Sequence, residues 1–455
     1  MNLESLENLT DMIQNIEMRN LRTFRFWILD SGSLVKTTSI QYLASGIIVM
    51  LIFFTSTNAQ SQTYSLDSVL SIINRNNPML QEYDSKVKAM NAYTEGARSW
   101  MAPMVGVGTF MTPYPGQNVM ESGNRGSFMI SAEQSIPNPA RLNATKNYLS
   151  SRAAVETQGK NYQYNALRSE AKASYYQLLI LEKKMSVLKE NEQIVELMLK
   201  LARIRYPYNQ GSLGNIYKTE GRLHEIQNMQ LMTQSSIDEK NYRLKSLMNI
   251  AHDAQIRIDT TTIIKYDVNQ LIYDTAAISD QRSDIKQIDQ TIQVMRLNQE
   301  LQNIQAKPDF KISYNHMSPF ASGMPQMFTI MGMISIPIAP WSSRGYKSEV
   351  KGMNYEIEAM KKNREAILIE ARGMLAGMAS QLNSMQRQLD NYNTQIIPAL
   401  RKNYQSLMLA YEENREQLPM VLDGWEAMNM VQMEYLNKME EYYLMIVKYE
   451  REIEK

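Results

Sequence analysis

Apolar positions along 140–248 recur with the spacing of a coiled-coil seam. Leu178, Leu181, Met185 and Leu188 keep a three-four beat, Glu192 falls out of it, and Val195, Leu199 and Ala202 resume it. Such a beat sets one stripe of a long helix against a partner helix rather than against a compact core. Between residues 140 and 206 there is no proline, and Gly159 is the sole glycine. A helix of that length would extend roughly 100 Å at ~1.5 Å per residue. The run stops at Tyr206, Pro207, Tyr208, Asn209, Gln210 and Gly211, then resumes at Leu213. The pattern predicts a long helical hairpin over 138–250.

Two stretches follow a period of two instead. In 127–136, Phe128, Ile130, Ala132 and Ile136 alternate with Met129, Ser131, Glu133 and Ser135, and 103–112 has the same texture. The pattern returns in 308–337. There Phe310, Ile312 and Tyr314 alternate with Lys311, Ser313 and Asn315, and Phe328, Ile330, Ile334 and Ile336 with Thr329, Met331, Met333 and Ser335. These read as two strand hairpins, over 103–137 and 308–337. Each segment has about ten residues, the length of a tilted membrane-crossing strand, although a soluble sandwich would use the same alternation.

The chain is internally duplicated. Pro103 matches Pro308, Ser135-Ile136-Pro137 matches Ser335-Ile336-Pro337, and Tyr206 matches Tyr411, at separations of 205, 200 and 205 residues. A second helical hairpin is therefore expected over 338–455. Its seam reads Met378, Leu382, Met385, Leu389, Tyr392 and Ile396, then Trp425, Met428, Val431 and Tyr435. Pro398 should kink the first arm. Ahead of the first strands, 60–102 reads as two helices: Ser65 caps a stripe of Leu66, Val69, Leu70 and Ile73, and Asn77-Pro78 marks the break. Residues 251–307 form a connector and the helix that opens the second repeat.

The first 59 residues read as a signal peptide. An apolar run over 43–54 is too short for a membrane-spanning helix, follows Arg19, Arg22, Arg25 and Lys36, and precedes small residues at Thr57 and Ala59. Cleavage is expected after Ala59; the acidic residues within 4–17 suit a leader poorly, which leaves Met18 as an alternative start to Met1. A short buried helix is the alternative. The net charge of +1 gives no reason to expect nucleic acid, and the absence of cysteine excludes disulfides, thiolate sites and a lipidated cysteine.

Four strands cannot close a barrel, and an open sheet edge in lipid leaves backbone groups unpaired at several kcal/mol each. The chain must then oligomerise: two copies give eight strands and a filled interior, three give twelve and room for a passage. The fold class is mainly α with a small β part: long helical hairpins forming a tunnel, plus four strands per chain contributed to a shared transmembrane barrel.

This arrangement resembles the TolC family of outer-membrane efflux proteins, nearest its heavy-metal branch. The resemblance rests on YSLDSVL at 64–70, Asn77-Pro78, RIRY at 203–206, KPDF at 307–310, the Ile-Pro junctions at Pro137 and Pro337, and VLD at 421–423. It implies a homotrimer in outer-membrane lipid, extending through the periplasm to an adaptor protein and an inner-membrane RND-type pump. It also implies adaptor contacts at the hairpin tips, here Gly211, Leu213, Asn414 and Leu418, and a tunnel gate near Asp423. Both tips depart from the family: the first is longer, and the second has Asn414 where glycine is expected.

No cofactor is expected, and no constellation for catalysis is visible. His224 and His252 read as solvated helix residues, and His316 as a loop residue at a strand end. A structural periplasmic coiled-coil protein would account for the heptads but not for the duplicated strands. Methionine is the compositional outlier, at 34 residues. Thioethers suit Cu(I) and Ag(I), so Met317, Met324 and Met327 are candidate metal contacts, against a reading of methionine as flexible core filler. The cargo expected is copper, silver or another heavy metal; drug efflux and type I secretion are the alternatives.

Overall fold

Long helices and one four-stranded sheet make up the chain in the computed structural model, which describes residues 62–117, 119–254, 256–259, 275–337 and 339–455. The leader expected over 1–59 lies outside the described residues. A short strand β1 (Gln62–Tyr64) leads into α1 (Leu66–Asn76), α2 (Pro78–Glu95) and strands β2 (Met104–Phe110) and β3 (Ser127–Ile136). Then come α3 (Pro139–Arg205), α4 (Leu213–Met248), β4 (Ile256–Ile258), α5 (Thr275–Gln281) and α6 (Ser283–Asn303). The second repeat supplies β5 (Asp309–Pro319), β6 (Met327–Ser335), α7 (Pro340–Asn391), α8 (Ile397–Glu412) and α9 (Leu418–Glu452). No described helix is long and apolar enough to cross a membrane.

Local chemistry sets the junctions. Ser65 caps α1 by accepting from the Ser68 amide at 3.3 Å. Asn77 ends α1 and caps α2; buried, it also donates to the Leu247 carbonyl of α4 at 2.9 Å. Pro78 occupies the first helical turn, where a missing N–H costs nothing. Pro398, expected to kink the first arm, stands in the first turn of α8. A π-helical turn, Tyr392–Ile396, stands just before it between α7 and α8, and its wider backbone absorbs the proline.

The arms of the first hairpin are unequal in length. At 67 residues α3 reaches roughly 100 Å, whereas its return arm α4, at 36 residues, covers about half that. The uncovered half of α3 lies against α2 and α6. Gly159 stands where these meet: a Cβ there would come within 2.9 Å of the Tyr83 ring on α2 and 3.2 Å of Gln287 on α6. The lone glycine of the long run is therefore a close-approach site. Toward the tips, α3 faces α4 and α9 instead, through Glu192 with Gln227 and Asn191 with Gln432.

The helices thus lie in the order α2-α3-α6-α7 near the sheet and α4-α3-α9-α8 near the tips. The sheet has the matching order β2-β3-β5-β6, antiparallel throughout, so each strand continues into one helix. β1 and β4 add a separate parallel pair. One buried cluster, including Ile73, Leu80, Tyr175, Leu244 and Ile446, joins α1, α2, α3, α4 and α9. A second, including Leu188, Val195, Ile226, Val421 and Trp425, holds the tip half. Truncating a fully buried leucine such as Leu188 to alanine would cost about 2–5 kcal/mol.

Candidate functional site

The sheet has two chemically different faces, set by register. One carries Val105, Val107, Phe128, Ile130, Ala132, Phe310, Ile312, Tyr314, Phe328, Ile330 and Ile334. No described element covers it: Val107 is 73% exposed and Ile330 63%. The opposite face carries Ser131, Glu133, Lys311, Ser313, Asn315 and Thr329, with Lys311 paired to Glu133, and it carries methionine. β5, with 11 residues, is about 36 Å long, and tilted ~45° it covers ~25 Å, the height of an outer-membrane barrel's apolar band. β2 and β6 are the edges of this sheet, with backbone groups facing outward. At the other end of the strands, Asn138 donates to the Pro308 carbonyl and Arg141 pairs with Asp309, binding the two repeats where sheet becomes helix.

The two tips lie together and follow the duplication. The first turn passes through Asn209 at φ 59° and the second through Asn414 at φ 61°, both left-handed. Asparagine there is tolerated because its short polar side chain can bond locally. The left-handed residue of the first tip is thus Asn209, while exposed Gly211 has no positive φ. Arg205 links the tips: its guanidinium donates to the carbonyls of Tyr411 at 2.7 Å and Glu412 at 3.0 Å, and lies 4.2 Å above the Tyr411 ring. It gives the Glu412 carbonyl a donor at the end of α8 and the Tyr411 carbonyl a second one beside the Asn414 amide. Burial raises the pKa of the Tyr411 phenol, and the Arg205 charge partly reverses that. The sequence singled out RIRY at 203–206 only as a motif; this clamp was not foreseen.

Asp423 lies in the second turn of α9 with its side chain 61% exposed, 3.3 Å from Lys218 on α4. One turn further, Arg222 reaches both Glu225 and Glu426 at 2.6 Å. Gly424 lets α9 press against α8: a Cβ there would come within 2.7 Å of the Leu407 methyl. Leu213 is 42% exposed, but its repeat mate Leu418 is 4% exposed and packs inside the tip cluster. Glu192, the break in the heptad beat, accepts from Gln230 and Gln227, and these bonds lower its pKa.

Of the candidate methionines, Met317 and Met327 are cross-strand partners. Met324 lies in the loop between β5 and β6, its methyl 3.1 Å from where a Cβ on Gly123 would stand. Met129, absent from the sequence-based set, is the partner of Met317 on the other side. His316 is not a loop residue: it lies within β5, on the apolar face opposite Ile130 and Phe328. His224 bonds Gln227, and His252 meets the Tyr242 ring edge-on. Among the described residues no group of three His, Cys, Asp or Glu is placed to hold a metal ion.

No protein-family model matches the sequence, and no curated protein matches it. Solved structures do. The outer membrane protein VceC from Vibrio cholerae aligns over 85% of this chain and 95% of its own, with TM-score 0.66 and 14% identity. The CmeC outer membrane channel of Campylobacter jejuni aligns over 85% of each chain, with TM-score 0.67 and 13% identity. CusC, whose transmembrane channel formation was followed crystallographically, gives 0.66 and 12% over 85% of this chain and 91% of its own. At such low identity it is the architecture that is shared: the chain has the fold of these outer-membrane channel proteins.

Proposed function

We propose that the protein is the outer-membrane conduit of a tripartite efflux system. Three copies would join their sheets into a twelve-stranded barrel and continue it as a helical tunnel into the periplasm, toward an adaptor and an RND-type inner-membrane pump. The observation that carries this reading is the sheet: apolar on one uncovered face, polar on the other, open at both edges, and continued strand by strand into helices. An uncovered apolar band of this size suits lipid rather than water. Open edges in lipid demand partners, and β6 of one copy against β2 of the next would supply them.

The tips would then converge around one axis. Asp423 with Lys218 is the proposed gate, and the exposed residues of the tips, Gly211, Leu213 and Asn414, are the proposed adaptor contacts; Leu418 would act through the packing beneath them. For cargo, soft metal ions such as copper or silver are favoured over drugs by the methionines on the polar face of the sheet. The full chain should be recovered from the outer-membrane fraction as a detergent-extracted trimer that conducts ions in planar bilayers. Recovery as a soluble periplasmic monomer would overturn the proposal.

A further inference from the structure

Methionine is out of place on the polar face. On the helices some methionines fill seams, as Met185 and Met198 do, and others such as Met232 and Met430 stand exposed, but this face has no core for a methionine to fill. Register places three of these residues side by side: Met129 on β3 opposite Met317 on β5, and Met317 opposite Met327 on β6. Directly opposed residues on one sheet face have Cβ atoms about 4.5–5.5 Å apart, within reach of a shared ion for side chains with three rotatable bonds. Gly108 on β2 continues the row past Met129, and a Cβ there would meet nothing within 4 Å, so the row opens into free space. On β6 the same face continues with Met331, 47% exposed, and Met333.

We propose that Met129, Met317 and Met327 form an all-thioether site for a monovalent soft metal ion, Cu(I) or Ag(I), on the inner wall of the barrel toward its outer mouth. The site rests on the conduit reading for its position inside a passage; its ligand chemistry does not depend on that reading. Three neutral sulfur donors match a soft monovalent ion and offer little to Mg²⁺ or Ca²⁺, which take oxygen. Thioethers carry no proton to lose, so binding should be the same at pH 5 and pH 7, unlike binding at histidine or cysteine. His316 faces the other side of β5 and cannot join the row. Met324, in the loop against Gly123, is outside it.

The test uses Ag(I), which does not change oxidation state, with the full chain purified in detergent. Equilibrium dialysis should find one Ag(I) per chain that is lost in the Met129→Leu, Met317→Leu, Met327→Leu triple variant, and bound at least tenfold more weakly by Met317→Leu alone. Met430→Leu, at an exposed position on α9, should bind as the unaltered protein does. Silver X-ray absorption of the unaltered protein, which needs no variant to fold, should show only sulfur in the first shell. Equal Ag(I) binding by the triple variant, or a nitrogen or oxygen shell, overturns the site. Bilayer conductance separates the two proposals. Conductance without a methionine-dependent Ag(I) removes the site alone, and Ag(I) binding without conductance removes the conduit alone.

Discussion

Replacing Asn191 by leucine tests how the tip half is held together. Asn191 is 1% exposed on α3, and its side-chain oxygen accepts from the indole N–H of Trp425 on α9 at 2.7 Å. Its amide donates to the Val187 carbonyl at 2.8 Å and, at 3.4 Å, to Gln432. Leucine keeps a similar volume but leaves the Trp425 N–H buried without an acceptor, a loss of about 1–3 kcal/mol. The Val187 carbonyl still accepts its own helical bond, so that contact adds little. A net cost of about 2 kcal/mol corresponds to roughly a 30-fold rise in local opening. Native-state hydrogen exchange across 188–199 and 421–432 measures that opening directly. Trp425→Phe should also be costly, but the double variant should fall short of the sum by about 1–2 kcal/mol, because no unpaired donor remains. Exchange within twofold of the unaltered protein for Asn191→Leu, or strict additivity in the double variant, would refute the assigned bond.

The clamp and the gate give two further tests. Arg205→Ala should raise exchange across 405–412 about tenfold, since charged hydrogen bonds to the α8 carbonyls are worth about 1.5–3 kcal/mol before solvent screening; Arg205→Lys should not restore protection, because an ammonium cannot fork and stack. Protection restored by lysine would leave charge alone as the cause. Asp423→Ala should alter single-channel conductance or cation selectivity while changing stability by less than about 1 kcal/mol, as its pair with Lys218 is exposed. Identical conductance and selectivity would put Asp423 away from the lumen.

Period and duplication made most of the fold readable from the chain. The alternation over 127–136 coincides with β3, and the break at Asn77-Pro78 with the junction of α1 and α2. What covers the excess length of α3 was hidden, because a heptad beat says that a helix has a partner and not which one. The half of α3 near Gly159 is partnered by α2 and α6, which lie far off in sequence. Glu192 was legible as a defect, but the buried bond from Trp425 to Asn191 beside it was not, since a polar residue one step from the seam carries no signal of its partner. Much the same holds for the metal candidates. Composition led to Met317, Met324 and Met327, whereas cross-strand register, which sets Met129 opposite Met317, has no mark in composition. Arg205 could have been suspected from an arginine next to the tip, yet its acceptors are backbone carbonyls, which no sequence pattern marks.

The central claim is that the polar face of the sheet lines a water-filled passage while the apolar face meets lipid. The absence of native cysteine makes this directly measurable by single cysteine substitutions on the two faces. Thr329 and Ile330 are neighbours on β6 that face opposite ways, and their cross-strand partners Asn315 and Tyr314 do the same on β5. In planar bilayers, a charged methanethiosulfonate added to Thr329→Cys or Asn315→Cys should react and reduce the single-channel current, and leave Ile330→Cys and Ile130→Cys conducting as before. Block at the isoleucine positions but not at Thr329 and Asn315, or the absence of any channel, would contradict the account.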